Sequence, residues 1–226
     1  MVSKAAAVSR SDARDLIRGR QVSFEGEVIT DPSKKVPKEG IISLMGEKIT
    51  YEQYVYYMMN KPKGILSASE DKKEKTVVDL IREKGNRNLF PAGRLDRDTV
   101  GFVLITDDGE FAHRILSPSK HVEKEYLVHT DNAIPHFLCD EFSKGVDLGD
   151  FTTLPASLSI EEEKTAKIII REGKYHQIKR MFKKYGLTVV QLKRIRMGDL
   201  FLDESLSEGE YKKLTNDEVS KIAQRR

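Results

Sequence analysis

Residues 91 to 109 constrain the fold more than any other stretch of this chain. They form a polar turn, then an apolar run, then a second turn signal. The run from Phe102 to Thr106 predicts a short buried strand, and Asp107-Asp108-Gly109 predicts a tight turn. A buried strand restricts the loop that precedes it, so Asp96 on that loop is a candidate catalytic carboxylate. Spacing alone leaves open that Asp96 caps a helix or satisfies a turn.

The composition fits one large domain or two smaller ones over 226 residues. The net charge of +3 is modest, so a nucleic-acid surface has to come from local clusters of basic residues. The single cysteine, Cys139, excludes an internal disulfide and is typical of a reducing compartment. The N-terminus does not resemble a signal peptide, and no apolar run approaches the roughly 18 residues of a membrane span. We therefore expect a soluble, cytoplasmic protein.

The N-terminal stretch predicts a short helix followed by small strands. The helix runs from Ser9 to Gly19, with a serine cap and a terminal glycine. Arg10, Arg14 and Arg18 recur every four residues and share one face. Apolar runs at 21–24, 28–29 and 41–44 are strand candidates, and the polar residues 46–53 are typical of a linker. A helix with a basic face can bind nucleic acid, although a solvated face explains the arginines equally well.

The rest of the chain shows strand and helix patterns in turn. Strands are predicted at 54–60, 121–128 and 166–170, and helices at 76–81, 110–116, 135–144 and from Lys212 onward. In the strand at 121–128, Lys124 and Tyr126 share one face and are candidates to point into a site. Tyr126 taken alone is equally typical of a half-buried strand aromatic. The histidines are scattered, so no metal site is expected.

The strongest electrostatic signal lies between residues 171 and 196. Nine Lys or Arg residues stand there against one acid, Glu172. Aromatic rings are interleaved with these bases, as is typical of a surface that binds a phosphate backbone. A solvated charged face is the alternative interpretation. Lys179 and Arg180 are expected to precede a short helix at 181–185, which Gly186 ends.

The N-terminal stretch resembles an S4 domain, a small RNA-binding module of ribosomal and RNA-modifying proteins. The matching residues are 9–13, 16–17, 19–22 and 26–28. S4 domains usually carry a full helix before the Ser9-Arg10 pair, and only eight residues precede that pair here. The resemblance therefore implies a copy that is abbreviated or truncated at its N-terminus.

Four motifs in order resemble those of RNA pseudouridine synthases. They are residues 61–64, residues 93–109 around Asp96, residues 123–126, and residues 172–180. The S4-like stretch in front and residues 192–198 behind are similar to the branch that modifies ribosomal RNA at single sites. Within that branch, residues 175–182 are most similar to the small-subunit (16S) rRNA enzyme.

This resemblance implies an α+β fold with two domains joined by a linker. A small N-terminal α/β S4-like RNA-binding domain would occupy residues 1–48, followed by a linker at 49–53. The catalytic domain would occupy residues 54–226 and be built on a mixed, mainly antiparallel β-sheet flanked by helices.

The same resemblance implies isomerisation of a uridine in ribosomal RNA, most simply 16S rRNA, without a cofactor. Asp96 is the expected catalytic carboxylate, Lys179 its basic partner, and Tyr126 the residue that stacks on uracil. Contacts to RNA are expected from Arg94, Lys61, Lys174, His176, Gln177, Arg180 and Lys183, and from Arg10, Arg14 and Arg18. The expected partner is ribosomal RNA or a small-subunit assembly particle, and the expected state is a monomer without membrane contact.

Other functions stay open at this point. One is a 23S rRNA pseudouridine synthase, and another is a non-catalytic RNA-binding or assembly factor in which Asp96 is structural. A third is a metal-dependent nuclease that uses Asp96, Asp98, Asp107 and Asp108. Because Asp107 and Asp108 lie in a turn signal, the nuclease is disfavoured, and Asp98, Asp107 and Asp108 are interpreted as supports for the loop and its turn.

Overall fold

The computed structural model describes residues 1–6, 8–37, 40–49, 52–83, 85, 87–117 and 122–223. The chain is α+β and forms two compact units. The first comprises residues 1–55 with 82–88, and the second comprises residues 56–81 with 89–226. Of the predicted linker at 49–53, Thr50 and Tyr51 lie outside the described residues. The domain limits drawn from the sequence stay a prediction.

The first unit is a small helix-and-sheet module. Its elements are α1 (Val2–Ala5), α2 (Arg10–Arg18), β1 (Val22–Phe24), β2 (Glu27–Ile29), β3 (Ile42–Leu44) and β4 (Glu47–Ile49), and its antiparallel sheet has the order β2-β1-β3-β4. The predicted helix is confirmed, because Ser9 and Asp12 form a reciprocal capping box at its start. Taking residues 46–49 as linker was wrong. Their polarity reflects an exposed edge strand, β4, which pairs with β3 through a tight turn.

The second unit contains a mixed sheet flanked by helices. Its strands are β5 (Tyr56–Lys61), β6 (Phe90–Pro91), β7 (Val100–Thr106), β8 (Lys124–Thr130), β9 (Ser157–Glu162), β10 (Thr165–Ile170), β11 (Val189–Met197), β12 (Leu200–Phe201) and β13 (Tyr211–Lys213). Its helices are α3 (Gly109–Leu116), α4 (Phe137–Lys144), α5 (Gln177–Lys184) and α6 (Asn216–Ala223), with a 3-10 turn at Val78–Leu80. The sheet order is β13-β5-β7-β11-β8-β10-β9, with β6 on β7 and β12 on β11.

The core of this unit explains why the predicted central strand is so apolar. β7 is buried along almost its whole length, and its Phe102 and Leu104 pack with Phe111 and Ile115 of α3 and Ile222 of α6. Burial on both faces accounts for an uninterrupted apolar run instead of an alternating one. The prediction of a buried strand at 102–106 is confirmed.

Several local predictions differ from the structure. Asp108 caps the start of α3, accepting a hydrogen bond from the Phe111 amide, so the turn signal at 107–109 is a helix N-terminus. The tail begins as strand β13 before its helix α6, because its first residues pair with β5. Lys179 and Arg180 lie inside α5 instead of preceding a helix. Of the strand predicted at 121–128, His121 lies outside the described residues.

Candidate active site

Strand β11 determines which distant segments meet. It pairs in parallel with β7, where Arg194 lies opposite Gly101, and antiparallel with β8, where Arg194 lies opposite Tyr126. A Cβ on Gly101 would come within 2.3 Å of the Arg194 carbonyl oxygen, so this close approach requires glycine. The register brings the loop before β7, which carries Asp96, to the same part of the sheet as Tyr126.

The Asp96 loop is held by a buried lysine. The Lys61 ammonium donates to the carbonyls of Pro62, Arg97 and Thr99 at 3.1, 3.2 and 2.9 Å. Lys61 is 0% exposed, and this burial lowers its pKa to about 8. The charge of Lys61 thus faces carbonyl oxygens inside the protein, and the RNA contact expected from it stays a prediction. No local pattern in the sequence indicates that this lysine points inward.

Two further hydrogen bonds to this loop come from residues that follow Lys61 in the chain. The Ser67 hydroxyl accepts a hydrogen bond from the Leu95 amide at 3.1 Å, and the Gly64 amide donates to the Arg97 carbonyl at 2.8 Å. Together with the contacts of Lys61, these hydrogen bonds hold the backbone on both sides of Asp96. The carboxylate thus projects from a loop that is fixed at both sides.

One lysine bridges two carboxylates at this loop. Lys179 Nζ lies 3.0 Å from Asp96 Oδ2 and 2.5 Å from Asp98 Oδ1. Burial lowers the pKa of Lys179, but its hydrogen bonds to Asp98 and Asp96 outweigh burial and raise the pKa above the usual lysine value. The hydrogen bond from Lys179 also holds the pKa of Asp98 below its usual range. The interpretation of Asp98 as a mere loop support missed this contact.

His176 also faces the carboxylate. Its Nε2 lies 3.5 Å from Asp96 Oδ1, and its ring stacks on Tyr175 with 3.8 Å between centroids. His176 has φ of +49°, a left-handed conformation that costs about 1 kcal/mol outside glycine. The sequence had suggested an RNA contact for His176, and the structure places it between the carboxylate and an exposed aromatic ring.

Two adjoining cavities open at Asp96. The inner one measures about 60 Å³ and is lined by Asp96, Tyr126, Ile170, Ile178, Lys179 and Leu192 among others. Tyr126 is only 6% exposed and supplies an aromatic wall. The outer one measures about 860 Å³ and includes Lys63, Arg94, Arg97, Lys174 and Tyr175. Asp96, Arg94 and His176 line both cavities, so the carboxylate lies where they join.

Gln177 is a structural residue in this site. It is buried, its amide oxygen accepts from the Lys174 backbone amide at 3.0 Å, and its amide nitrogen donates to Glu172 at 3.0 Å. Both polar atoms of its side chain are engaged inside the protein, and the RNA contact expected from Gln177 stays a prediction. Its role is to fix the turn that carries residues 174–176.

The basic stretch divides into buried and exposed residues. Arg194 and Arg196 are each 2% exposed, and Arg196 pairs with Glu125 and Glu123 at 2.5 and 3.2 Å. Arg180 is held by Asp150 and lies over the Phe151 ring. The exposed candidates for RNA contact are Arg94, Lys174, Lys183, Arg10, Arg14 and Arg18. Counting charges along the sequence therefore overestimated the basic surface.

Asp96, Asp98 and Asp108, three of the four aspartates of the nuclease alternative, contact protein groups. Asp96 and Asp98 bind Lys179, and Asp108 caps α3 and accepts from the Tyr56 hydroxyl at 2.5 Å. Within the described part of the chain, no three His, Cys, Asp or Glu side chains are grouped to hold a metal ion. None of the helices described there is long and apolar enough to span a membrane.

Comparisons with known proteins agree with this geometry. The family model described as RNA pseudouridylate synthase matches residues 55–184, and the S4 domain model matches residues 1–42. The chain is 42% identical over 218 residues to an RNA pseudouridine synthase, YtzG, of Bacillus subtilis (strain 168), covering 93% of this chain and 91% of that one. It is 38% identical over 224 residues to ribosomal small subunit pseudouridine synthase A of Escherichia coli (strain K12), covering 98% and 97%.

A solved structure extends the likeness to three dimensions. A crystal structure of a pseudouridylate synthase superposes with a TM-score of 0.72 at 37% identity, covering 98% of this chain and 96% of the other. Three of the four motifs, those that carry Asp96, Tyr126 and Lys179, contribute residues to one cavity. This chain belongs to the RNA pseudouridylate synthase family and carries an S4 domain, so it is an isomerase that forms pseudouridine.

Proposed function

We propose that this protein isomerises one uridine of 16S ribosomal RNA to pseudouridine and uses Asp96 as its only catalytic carboxylate. Support for the substrate comes from relatives named ribosomal small subunit pseudouridine synthase A, which match over nearly the full length. The observation that carries the catalytic assignment is the Asp96–Lys179 contact of 3.0 Å at a cavity walled by Tyr126.

The reaction rearranges bonds within one nucleotide. The bond between ribose C1′ and uracil N1 breaks, the base turns, and a bond forms between C1′ and C5. The proton on C5 leaves and N1 gains a proton, so atoms and electrons balance without an oxidant or a net addition of water. The protein therefore has to supply an ionised carboxylate beside the nucleotide, a pocket in which the base turns, and a base for the C5 proton.

Asp96 has to be ionised for each route by which it can act: attack on C1′, addition to the uracil ring, or removal of a sugar proton. Lys179 lies within hydrogen-bond distance of Asp96 and places a positive charge beside this carboxylate. Asp98 shares that cation and keeps Lys179 charged.

Tyr126 and the surrounding bases complete the proposal. The Tyr126 ring stacks on uracil in the inner cavity, and its hydroxyl relays the C5 proton, taking it up as the hydroxyl's own proton passes to solvent. The uridine has to leave its stack to enter, which costs about a few kcal/mol. Phosphate contacts from exposed Arg94, Lys174 and Lys183 offset this cost. Arg10, Arg14 and Arg18 add phosphate contacts from the S4 domain. The enzyme acts as a cytoplasmic monomer, and its substrate is ribosomal RNA or a small-subunit assembly particle.

Mapping pseudouridine in ribosomal RNA from cells with and without the gene tests the proposal. We expect one 16S position to lose its pseudouridine and to regain it when the wild-type gene is restored. Asp96→Asn should not restore it, although its RNA affinity stays within about threefold, because the change removes the reacting charge and keeps the shape. Asp217→Asn, the same change at an exposed position of helix α6, is the matched control and should restore it.

Two results would contradict parts of the proposal. If pseudouridine disappears from a 23S position instead, the substrate is the RNA of the large subunit. Release of tritium from C5-labelled uridine by Asp96→Asn at the wild-type rate would remove Asp96 from the chemistry.

A further inference from the structure

The outer cavity extends beyond the proposed uracil site, to Lys63 and Tyr175. It measures about 860 Å³ against about 60 Å³ for the inner cavity, and the two share Asp96. Tyr126 lines only the inner cavity, and Tyr175 lines only the outer one. Because the proposed uracil site lies beside Tyr126, the outer cavity has room for a nucleotide next to the target in the RNA chain.

Tyr175 is an aromatic surface with one open face. Its ring is stacked on His176 at 3.8 Å with 19° between the planes, so one face is covered. Even so, 76% of Tyr175 is exposed to solvent. So much exposure is unusual for a large aromatic residue. His176 in turn lies 3.5 Å from Asp96, so the two rings lead outward from the carboxylate.

The charges around this ring suit a nucleic-acid strand. Lys63, Arg94 and Lys174 line the same cavity and are exposed. Gln177 and Glu172 fix the turn that precedes Tyr175, through hydrogen bonds to the Lys174 amide and to each other. An aromatic ring on a fixed turn, flanked by cations, is the arrangement that binds single-stranded nucleic acid through base stacking and phosphate contacts.

We propose that the open face of Tyr175 stacks on the base of a nucleotide adjacent to the target uridine, extending the Tyr175–His176 pair to a three-ring stack. This inference rests on the proposed function, because it takes the inner cavity as the uracil site. The substrate is therefore a locally unpaired RNA segment in which both the uridine and one neighbour are unstacked from the RNA.

The test measures binding and turnover separately. Binding of a pentaribonucleotide with a central uridine is followed by fluorescence anisotropy, with each neighbour of the uridine replaced in turn by an abasic residue. We expect Tyr175→Ala to weaken binding about tenfold and Tyr175→Phe to bind within about twofold of wild type, since stacking needs the ring and not the hydroxyl. Phe137→Ala, which removes another exposed aromatic ring outside the cavities, is the control and should bind like wild type.

The decisive result is a double-mutant cycle. At one neighbouring position, the abasic change should lower the affinity of the RNA for the wild-type protein about tenfold. The same change should hardly alter its affinity for Tyr175→Ala. Equal losses in both proteins at both positions would overturn the inference, as would unchanged binding by Tyr175→Ala. In turnover of ribosomal RNA we expect a raised KM with kcat within about twofold. If wild type makes no pseudouridine in ribosomal RNA, the proposed function fails, while the binding cycle still decides the role of Tyr175.

Discussion

Lys179 Nζ lies 2.5 Å from Asp98 and 3.0 Å from Asp96, so one cation serves two carboxylates that are two residues apart. Asp98 is the more exposed of the two, with 59% of its side chain accessible against 26% for Asp96. This arrangement leaves Asp96 facing the inner cavity with a cation that Asp98 holds in place. We therefore expect Asp98 to be a positioning residue, which acts through Lys179.

Asp98→Asn tests that role. We expect kcat to fall about tenfold, because a charge-assisted hydrogen bond that orients Lys179 is lost. The hydrogen bond to Asp98 raises the pKa of Lys179, so its loss should move the alkaline limb of the pH–rate profile to lower pH. Single-turnover rates across pH measure both effects. A profile that keeps its alkaline limb would mean that Asp98 only shapes the loop.

Lys179→Met should be far more damaging than Lys183→Met. Lys179 contacts Asp96 directly, whereas Lys183 is exposed one turn further along α5. We expect kcat to fall about 100-fold or more in the first variant and less than about threefold in the second. Rates measured at saturating RNA separate the two effects from binding. If both variants lose activity equally, Lys179 acts as another phosphate contact.

The salt dependence of RNA binding distinguishes buried from exposed lysines. Lys174→Met should reduce the slope of log Kd against log salt by about 0.7 to 0.9, the value for one phosphate contact. Lys61→Met should leave the slope unchanged, because its ammonium is buried against carbonyl oxygens. Binding titrations between low and moderate salt provide the measurement. A reduced slope in Lys61→Met would restore this residue to the RNA surface.

Lys124 predicts a pH-dependent stability. Burial, followed by repulsion from Arg194, lowers its pKa to about 8 from 10.5. Between these values the unfolded chain binds more protons than the folded one, so the free energy of unfolding should rise with pH, by up to about 1.4 kcal/mol per pH unit. Lys124→Met should reduce the rise measured by urea unfolding at pH 8 and pH 10, leaving the part that Lys61 contributes through its own lowered pKa.

The control for this prediction is Lys167→Met, which removes an exposed lysine paired with Glu161. That variant should keep the wild-type rise. Parallel pH curves for wild type and Lys124→Met would show that Lys124 is protonated to the same extent in the folded and unfolded chains.

Local features of the fold were predictable because they depend on neighbours in sequence. The Ser9–Asp12 capping box, the apolar run of β7 and the alternating face of β8 with Lys124 and Tyr126 are all visible in the order of residues. Where tertiary contacts determine the local structure, the sequence pattern gave the wrong prediction. This was so for the Asp108 cap, predicted as a turn, and for strand β4, predicted as a linker. A polar edge strand and a polar linker have the same composition, and only pairing with β3 distinguishes them.

The order of the motifs was enough to identify the family and the candidate carboxylate. Which polar side chains reach the cavity follows instead from tertiary contacts. β11 lies between β7 and β8, and this strand order brings the Asp96 loop and Tyr126 to one site. Tertiary contacts likewise decide that Lys61 and Gln177 turn inward while Lys179 bridges Asp96 and Asp98. A side chain's direction depends on contacts with residues far away in the chain, and such contacts leave no local pattern.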